Sequence, residues 1–233
     1  MYLLILLMTC GYIISDILME KIKIEGRYYM NHFICNTIIV YYTSQYMISS
    51  YRDTLIYPLI PNASYNNLYV AYSTVYSIHL YHIIWYFKKL RFDDWLHHIM
   101  MTCIALPLTS LVNCTNLIAH CLFFITGLPG GMDYILLFLI RNNICDKMIE
   151  KKINRLINLW IRCPGCISNV TLVLYNLLKW HDVMTNTELY SSIIIMMTVY
   201  WNGIYFMEQV IADYAIIKYQ NNNQYNNIKK LKK

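Results

Sequence analysis

The chain of 233 residues is 58% hydrophobic and only 14% charged, and it carries a net charge of +6. Soluble domains have about a quarter of their residues charged, and a core of this size could not bury so much apolar surface. The basic residues are divided among short loops that follow apolar segments, which argues against a nucleic-acid-binding surface. We therefore expect an integral membrane protein.

Apolar segments long enough to cross a bilayer, about 20 residues each, follow one another along the chain. The first lacks the positive start and the cleavage site of a signal peptide, so we interpret it as a retained span. The second is rich in Ser, Thr and Tyr, the fourth is short, and the fifth contains Pro129, which predicts a break in its helix. The sequence thus predicts an all-α bundle of six or seven membrane-spanning helices. The candidate spans are residues 2–18, 33–50, 65–87, 96–112, 117–140, 156–178 and 189–217.

With seven spans, 16 of the 19 basic residues fall on one side of the membrane. They lie in residues 19–32, 88–95, 141–155 and 218–233. Because cytosolic loops are enriched in Lys and Arg, this pattern predicts a cytosolic C-terminus.

Two glycosylation sequons, Asn62-Ala63-Ser64 and Asn113-Cys114-Thr115, fall in loops of the opposite side. We divide the chain into a first span with its cytosolic loop, a main transmembrane domain and a basic cytosolic tail. These regions are residues 1–32, 33–217 and 218–233.

Ionisable side chains within the spans are the main functional signal, because placing such a group in a bilayer is costly. Most of them fall in the cytosolic half of their spans, a bias that scattered structural residues would not show. We therefore predict a polar cavity that opens to the cytosolic leaflet. The residues concerned are His79, His82, His97, His98, Asp133, Arg162, Glu208 and Asp213, together with Asp93 and Asp94 at the mouth of the fourth span.

Residues 91–98, RFDDWLHH, place two carboxylates one helical turn before two histidines. Asp93 could hydrogen-bond to His97, and Asp94 to His98, which would fix each imidazole tautomer and raise its basicity. That is the support a general base needs. The alternative is an interfacial helix start, with Asp93 or Asp94 as its N-cap and the histidines at the headgroups.

His79 and His82 are three residues apart on one helix face and could join His97 and His98 in a metal site. The same spacing fits many packed helices, so we expect no metal and no cofactor.

Arg162 is expected to pair with Asp133, Glu208 or Asp213, or to reach a lipid phosphate. The adjacent segment, residues 163–166, contains a C-x-x-C pair, and its Pro-Gly dipeptide explains this pattern as a helix kink as well as a redox motif does.

Residues 91–98 with their paired histidines, followed about thirty residues later by Thr126-Gly127-Leu128-Pro129 and Asp133, resemble the TLC-domain family, which includes the ceramide synthases. The similarity covers about residues 30–217 and implies residence in the endoplasmic reticulum. It implies catalytic roles for His97 and His98, with Asp133 as an acidic partner. The acidic cluster of the synthases is not reproduced here, since glycines and a leucine occupy that stretch.

Three functions stay open on this basis. The first is a lipid-binding or lipid-homeostasis protein without catalysis, in which Arg162 meets a phosphate. The second is an acyltransferase of ceramide synthase type, in which His98 or His97 acts as base while a sphingoid base attacks acyl-CoA. The third is a lipid or small-molecule transporter built on the broken fifth span. The expected partners are membrane lipids and, for the enzyme, acyl-CoA as co-substrate and a sphingoid base. The sequence leaves the oligomeric state open.

Overall fold

The computed structural model describes the backbone of residues 1–56, 68–112 and 115–231, and within these ranges it contains helices and turns but no strand. The sequon at Asn62 lies outside the described residues, as do Asn113 and Cys114 of the second sequon. The all-α class predicted from the sequence is confirmed.

The described elements join into seven continuous helices, one at the position of each predicted span. The first three are α1 (Tyr2–Lys21), α2 (Arg27–Tyr51) with a π-helical extension (Arg52–Ile56), and α3 (Leu68–Trp85) followed by a 3-10 turn (Phe87–Lys89). The fourth joins α4 (Phe92–Ile99), a π-helical turn (Met100–Ala105) and α5 (Leu106–Ser110). The fifth joins α6 (Thr115–Leu122), a π-helical turn (Phe123–Gly127) and α7 (Leu128–Arg141). The sixth joins α8 (Lys147–Ile157), a π-helical turn (Asn158–Arg162) and α9 (Cys163–Trp180), and it ends in a 3-10 turn (His181–Val183). The seventh is α10 (Asn186–Leu231).

The internal π-helical turns have a common cause in proline. Each of the three that join two α-helices ends two residues before a proline, namely Pro107, Pro129 and Pro164. A proline ring clashes with the carbonyl four residues earlier, and that carbonyl lies inside the wider π-helical turn in all three cases. The break predicted at Pro129 is therefore a π-helical turn within a continuous helix.

Within the described part of the chain, four helical stretches are long and apolar enough to cross a membrane. They are Tyr2–Lys21, Asn116–Arg141, Lys147–Val183 and Asn186–Asn222. The other three helices are shorter or richer in Tyr, Ser and Thr, so length and composition support a membrane protein without confirming six or seven spans. Apolar side chains that face outward on α1, such as Leu3 and Leu7, fit a lipid environment.

The helices approach closely at glycines, which have no side chain to keep them apart. A Cβ atom at Gly203 would lie 2.7 Å from Cβ of Cys166, and one at Gly130 would lie 2.8 Å from Nδ2 of Asn36. Small residues at such crossings allow close packing in membrane bundles.

The basic loops between α1 and α2 and between α7 and α8 lie together at one end of the bundle, here called the basic end. Asn142, between α7 and α8, donates a hydrogen bond to the carbonyl of Glu25 between α1 and α2 (3.0 Å). Lys151 of α8 lies 3.7 Å from Asp213 of α10. Such clustering is what the predicted topology requires.

The opposite end of the bundle has its own polar contacts. Asn116 donates to Asp53 (2.5 Å), and the Tyr51 and Ser168 hydroxyls lie 2.6 Å apart. His120, fully buried nearby, has its Nε2 atom 3.1 Å from the Tyr51 hydroxyl.

Candidate functional site

Five histidines from three helices form a contiguous group near the basic end, here called the histidine cluster. The rings of His32 and His82 lie 4.5 Å apart, and that of His98 lies 5.1 Å from both His82 and His79. His97 completes the group at 5.2 Å from His79. The cluster thus joins α2, α3 and α4, and it includes all four histidines singled out from the sequence.

The amphipathic character of α4 explains how the imidazole of His98 reaches the interior. Phe92, Leu96 and Ile99 are exposed, whereas His98 is buried against α3. In a bilayer the apolar face of α4 would meet lipid tails and the opposite face would carry the imidazole inward. His97 lies between these faces and is exposed.

The closest polar contact in the cluster joins Nδ1 of His79 to Nδ1 of His98, 2.8 Å apart. In this hydrogen bond one Nδ1 carries the hydrogen and donates it, and the other Nδ1 accepts with its lone pair. Ring nitrogens of His79, His97 and His98 all lie within 4.8 Å of one another. Three imidazoles so close can bind one metal ion or relay a proton.

Two tyrosines hold the other rings of the cluster. The Tyr28 ring stacks on His82 at 4.3 Å, and the Tyr134 ring stacks on His32 at 3.9 Å. Both nitrogens of His82 and Nε2 of His32 are buried without a hydrogen-bond partner among the described residues. These buried nitrogens are the least satisfied polar atoms of the cluster.

Asp94 does not support His98 in the way that the sequence suggested. Its Oδ2 atom accepts from the backbone N–H of Arg91 (2.9 Å) and lies 3.5 Å from the Arg91 Nε atom. This arrangement closes the first turn of α4. The N-cap is Arg91 rather than Asp93 or Asp94, and Asp94 occupies the third helical position, so it matches the alternative of a helix start without the predicted N-cap. The side chain of Asp93 lies outside the described part of the structure.

Arg162 has partners different from those predicted. Its guanidinium lies 4.2 Å from the ring centre of Phe206, and Nη2 lies 3.4 Å from Oδ1 of Asn202. Its Nε atom is buried and has no hydrogen-bond partner among the described residues. Among the described residues no ion pair joins Arg162 to Asp133, Glu208 or Asp213, and its contacts are with Phe206 and Asn202 of α10.

Asp133 belongs to a second polar network, which runs from α7 through α8 to α10. Its carboxylate accepts from Asn154 (2.7 Å), which also donates to Glu150 (3.4 Å). Lys151 joins the buried Glu150 to Asp213, which is 62% exposed. The contacts of Asp133 lie in this network rather than with the histidine cluster, and Glu208 is exposed on α10.

A cleft of about 430 Å³ opens at the basic end beside this network. Its lining includes Arg141, Lys147, Lys151 and Tyr29. The Tyr29 ring lies 6.2 Å from that of Tyr134, which stacks on the histidine cluster. A row of aromatic rings therefore connects the basic cleft to the buried imidazoles.

Sequence reasoning missed His32, Tyr28 and Tyr134. A second span that begins at residue 33 leaves His32 in the preceding loop, whereas α2 begins at Arg27. Gly26, which has a φ of +70°, immediately precedes that helix and was the available signal for its start.

The C-x-x-C pair belongs to the packing of α9. Cys163 and Cys166 are free and buried, and Cys166 packs against Gly203 of α10. These contacts favour the interpretation of Pro164 and Gly165 as a kink.

Comparison with models of known families, with curated proteins and with solved structures found no match for this chain. The resemblance of residues 91–98 to the TLC-domain family therefore stays a prediction.

Proposed function

We propose that this chain is a multi-pass membrane protein that binds membrane lipids at its basic end and acts in lipid homeostasis or sensing. The observation that carries the proposal is the cleft lined by Arg141, Lys147 and Lys151. Guanidinium and ammonium groups bind phosphate, and the neighbouring Tyr29 ring suits the boundary between headgroups and acyl chains.

The membrane topology is part of the same proposal. Seven spans would place the basic end and the C-terminus in the cytosol, in agreement with the resemblance to a family of the endoplasmic reticulum. The cytosolic leaflet is anionic, and each basic residue near its surface is worth about 1 kcal/mol of attraction. Lys151 is paired with Glu150, which also lines the cleft, so the preference for an anionic over a zwitterionic headgroup would come mainly from Arg141 and Lys147.

Lipid retention tests the proposal directly. The full chain would be purified in mild detergent, and co-purifying lipids would be identified by mass spectrometry. We expect anionic phospholipid to be retained, and retention to fall in the variant Arg141→Gln/Lys147→Gln because both side chains are exposed in the cleft. Lys179→Gln is the control, since Lys179 lies at the C-terminal end of α9, away from the basic end of the bundle. A stable parent protein without bound lipid would contradict the proposal.

A second candidate function is acyl transfer from acyl-CoA to a sphingoid base. Exposed His97 beside buried His98 favours it, since a base must be reachable by the incoming amine. The amine nitrogen would attack the thioester carbonyl, the CoA thiolate would leave, and an imidazole would take the proton of the amine. Asp133 is bonded to Asn154, so its support for such a base would be indirect.

Membranes containing the parent, His97→Ala or His98→Ala would be assayed for transfer of a labelled acyl chain to a sphingoid base. Loss of transfer in both variants is expected for catalysis by these histidines, and equal transfer by all three proteins would remove this candidate. A transporter is the least favoured hypothesis, because the helix that contains Pro129 is continuous. Substrate-dependent uptake into proteoliposomes would restore it.

A further inference from the structure

The histidine cluster has the donor set of a transition-metal site. Ring nitrogens of His79, His97 and His98 lie within 4.8 Å of one another, and the closest pair is 2.8 Å apart. Zinc binds imidazole nitrogen at 2.0–2.1 Å, so the nitrogens of a tetrahedral site are about 3.4 Å apart. The observed separations bracket that value, and side-chain movements smaller than about 1 Å would reach it.

Buried nitrogens without partners are the second observation. His82 is only 1% exposed, yet neither of its ring nitrogens has a hydrogen-bond partner among the described residues, and the same holds for Nε2 of His32. Buried polar atoms are usually bonded, and an exception calls for an explanation such as an ion. The His82 ring lies 5.1 Å from that of His98 and 4.5 Å from that of His32, so these unsatisfied nitrogens adjoin the three-histidine group. They show that the cluster holds more buried imidazole than its own hydrogen bonds satisfy.

The cluster is also held in place by its surroundings. Tyr28 stacks on His82, Tyr134 stacks on His32, and Thr102 donates to the carbonyl of His98 (2.7 Å). His97 is exposed, so a water molecule or substrate that served as fourth ligand would approach the three nitrogens from its side. This combination of three histidines and an open position occurs in catalytic rather than structural zinc sites.

From these observations we propose that His79, His97 and His98 bind one divalent first-row transition metal ion, with His82 and His32 next to it. A donor set made only of imidazole suits zinc, iron, copper or nickel, whereas magnesium and calcium prefer oxygen ligands. The site does not depend on lipid binding at the basic cleft, from which it draws no ligand.

The test uses the full chain in detergent, purified with a tag that contains no histidine. The protein would be stripped with a chelator, dialysed against Zn²⁺ or Co²⁺, and analysed for metal by mass spectrometry and for the visible absorption of tetrahedral Co²⁺. We expect about one ion per chain in the parent and the absorption bands of nitrogen-bound Co²⁺. His79→Ala and His98→Ala should lose both signals.

Truncation of a buried histidine can also disturb folding, so His97→Ala is the decisive variant. Its side chain is exposed, and we expect a monodisperse protein whose metal affinity falls at least about tenfold. His181→Ala is the matched control, since His181 is exposed in the turn after α9 and should bind metal like the parent. A metal-free parent after loading, or equal affinity in His97→Ala and the parent, would overturn the proposal.

Discussion

A buried carboxylate near the basic end offers a sharp test of how the first three helices are held together. Asp16 of α1 is fully buried and accepts hydrogen bonds from the hydroxyls of Tyr81 and Tyr86 (2.6 Å for Tyr86). Its other oxygen lies 3.0 Å from Nε of Arg27, the first residue of α2. Arg27→Met would remove the only cation bonded to Asp16 among the described residues and leave the carboxylate buried.

The expected cost follows from burial. Breaking a buried ion pair costs about 3–5 kcal/mol, but Arg27 is 25% exposed and both tyrosines stay bonded, so we expect about 2–3 kcal/mol. Tyr86→Phe removes one hydrogen bond to a charged group and should cost about 1.5–3 kcal/mol. Glu20, 59% exposed and 3.4 Å from Arg27, should contribute at most about 0.5 kcal/mol, which makes Glu20→Gln the control.

Unfolding of the purified protein in mixed micelles, followed by circular dichroism against the mole fraction of sodium dodecyl sulfate, measures these differences. Asp16→Asn combined with Arg27→Met should recover part of the loss, because the neutral amide no longer needs a cation. If Arg27→Met were no less stable than Glu20→Gln, Asp16 would be an ordinary polar residue and this account of the interface between α1, α2 and α3 would be wrong.

Three further predictions concern packing, the histidine cluster and topology. Gly165→Ala would make the new methyl group overlap the ring of Phe124 and should destabilise the protein by about 1–3 kcal/mol. Gly11→Ala has open space around the new methyl group and should be neutral or stabilising in the same denaturant titration. Tyr134→Leu removes a stacked ring and should cost about 0.5–1.5 kcal/mol, with Tyr134→Phe close to the parent; equal losses would show that the hydroxyl matters instead. Cys145, in the loop between α7 and α8, should react with a membrane-impermeant maleimide in intact microsomes, because the topology predicts that this loop is cytosolic. If Cys145 reacted only after the membrane was permeabilised, the loop would be lumenal and the predicted topology would be inverted. Cys145→Ser is the control for labelling of other cysteines.

The helical fold was predictable because one signal dominates it. Apolar segments bounded by polar residues mark all seven helices, and the loops between them contain most of the Lys and Arg residues. Helix starts were less accurate. The region before residue 33 is polar in sequence, yet Arg27, Tyr28 and Tyr29 form the first turn of α2. Arg27 binds Asp16 of α1, whereas Tyr28 faces the cluster and Tyr29 lines the basic cleft.

The composition of the candidate site was predictable only in part, since sequence spacing reports on one helix at a time. His79 and His82 share a face of α3, and their meeting with His97 and His98 could be expected from depth in the membrane. The partners of Arg162 could not, because they depend on the rotation of α10 relative to α9. That rotation brings Phe206 and Asn202 to the guanidinium and leaves Glu208 exposed.

His97 cannot be a metal ligand and a general base at the same time through the same nitrogen. A nitrogen lone pair that binds a metal ion cannot also accept a proton from an attacking amine. If acyl transfer is measured and survives removal of the metal by a chelator, His97 acts as a base and the ion is not needed for the reaction. If transfer is lost with the metal and returns with Zn²⁺, the exposed histidine is a ligand, and the open position beside it is where the substrate carbonyl would be polarised. The same His97→Ala variant is inactive in both cases, so only the chelator experiment separates them.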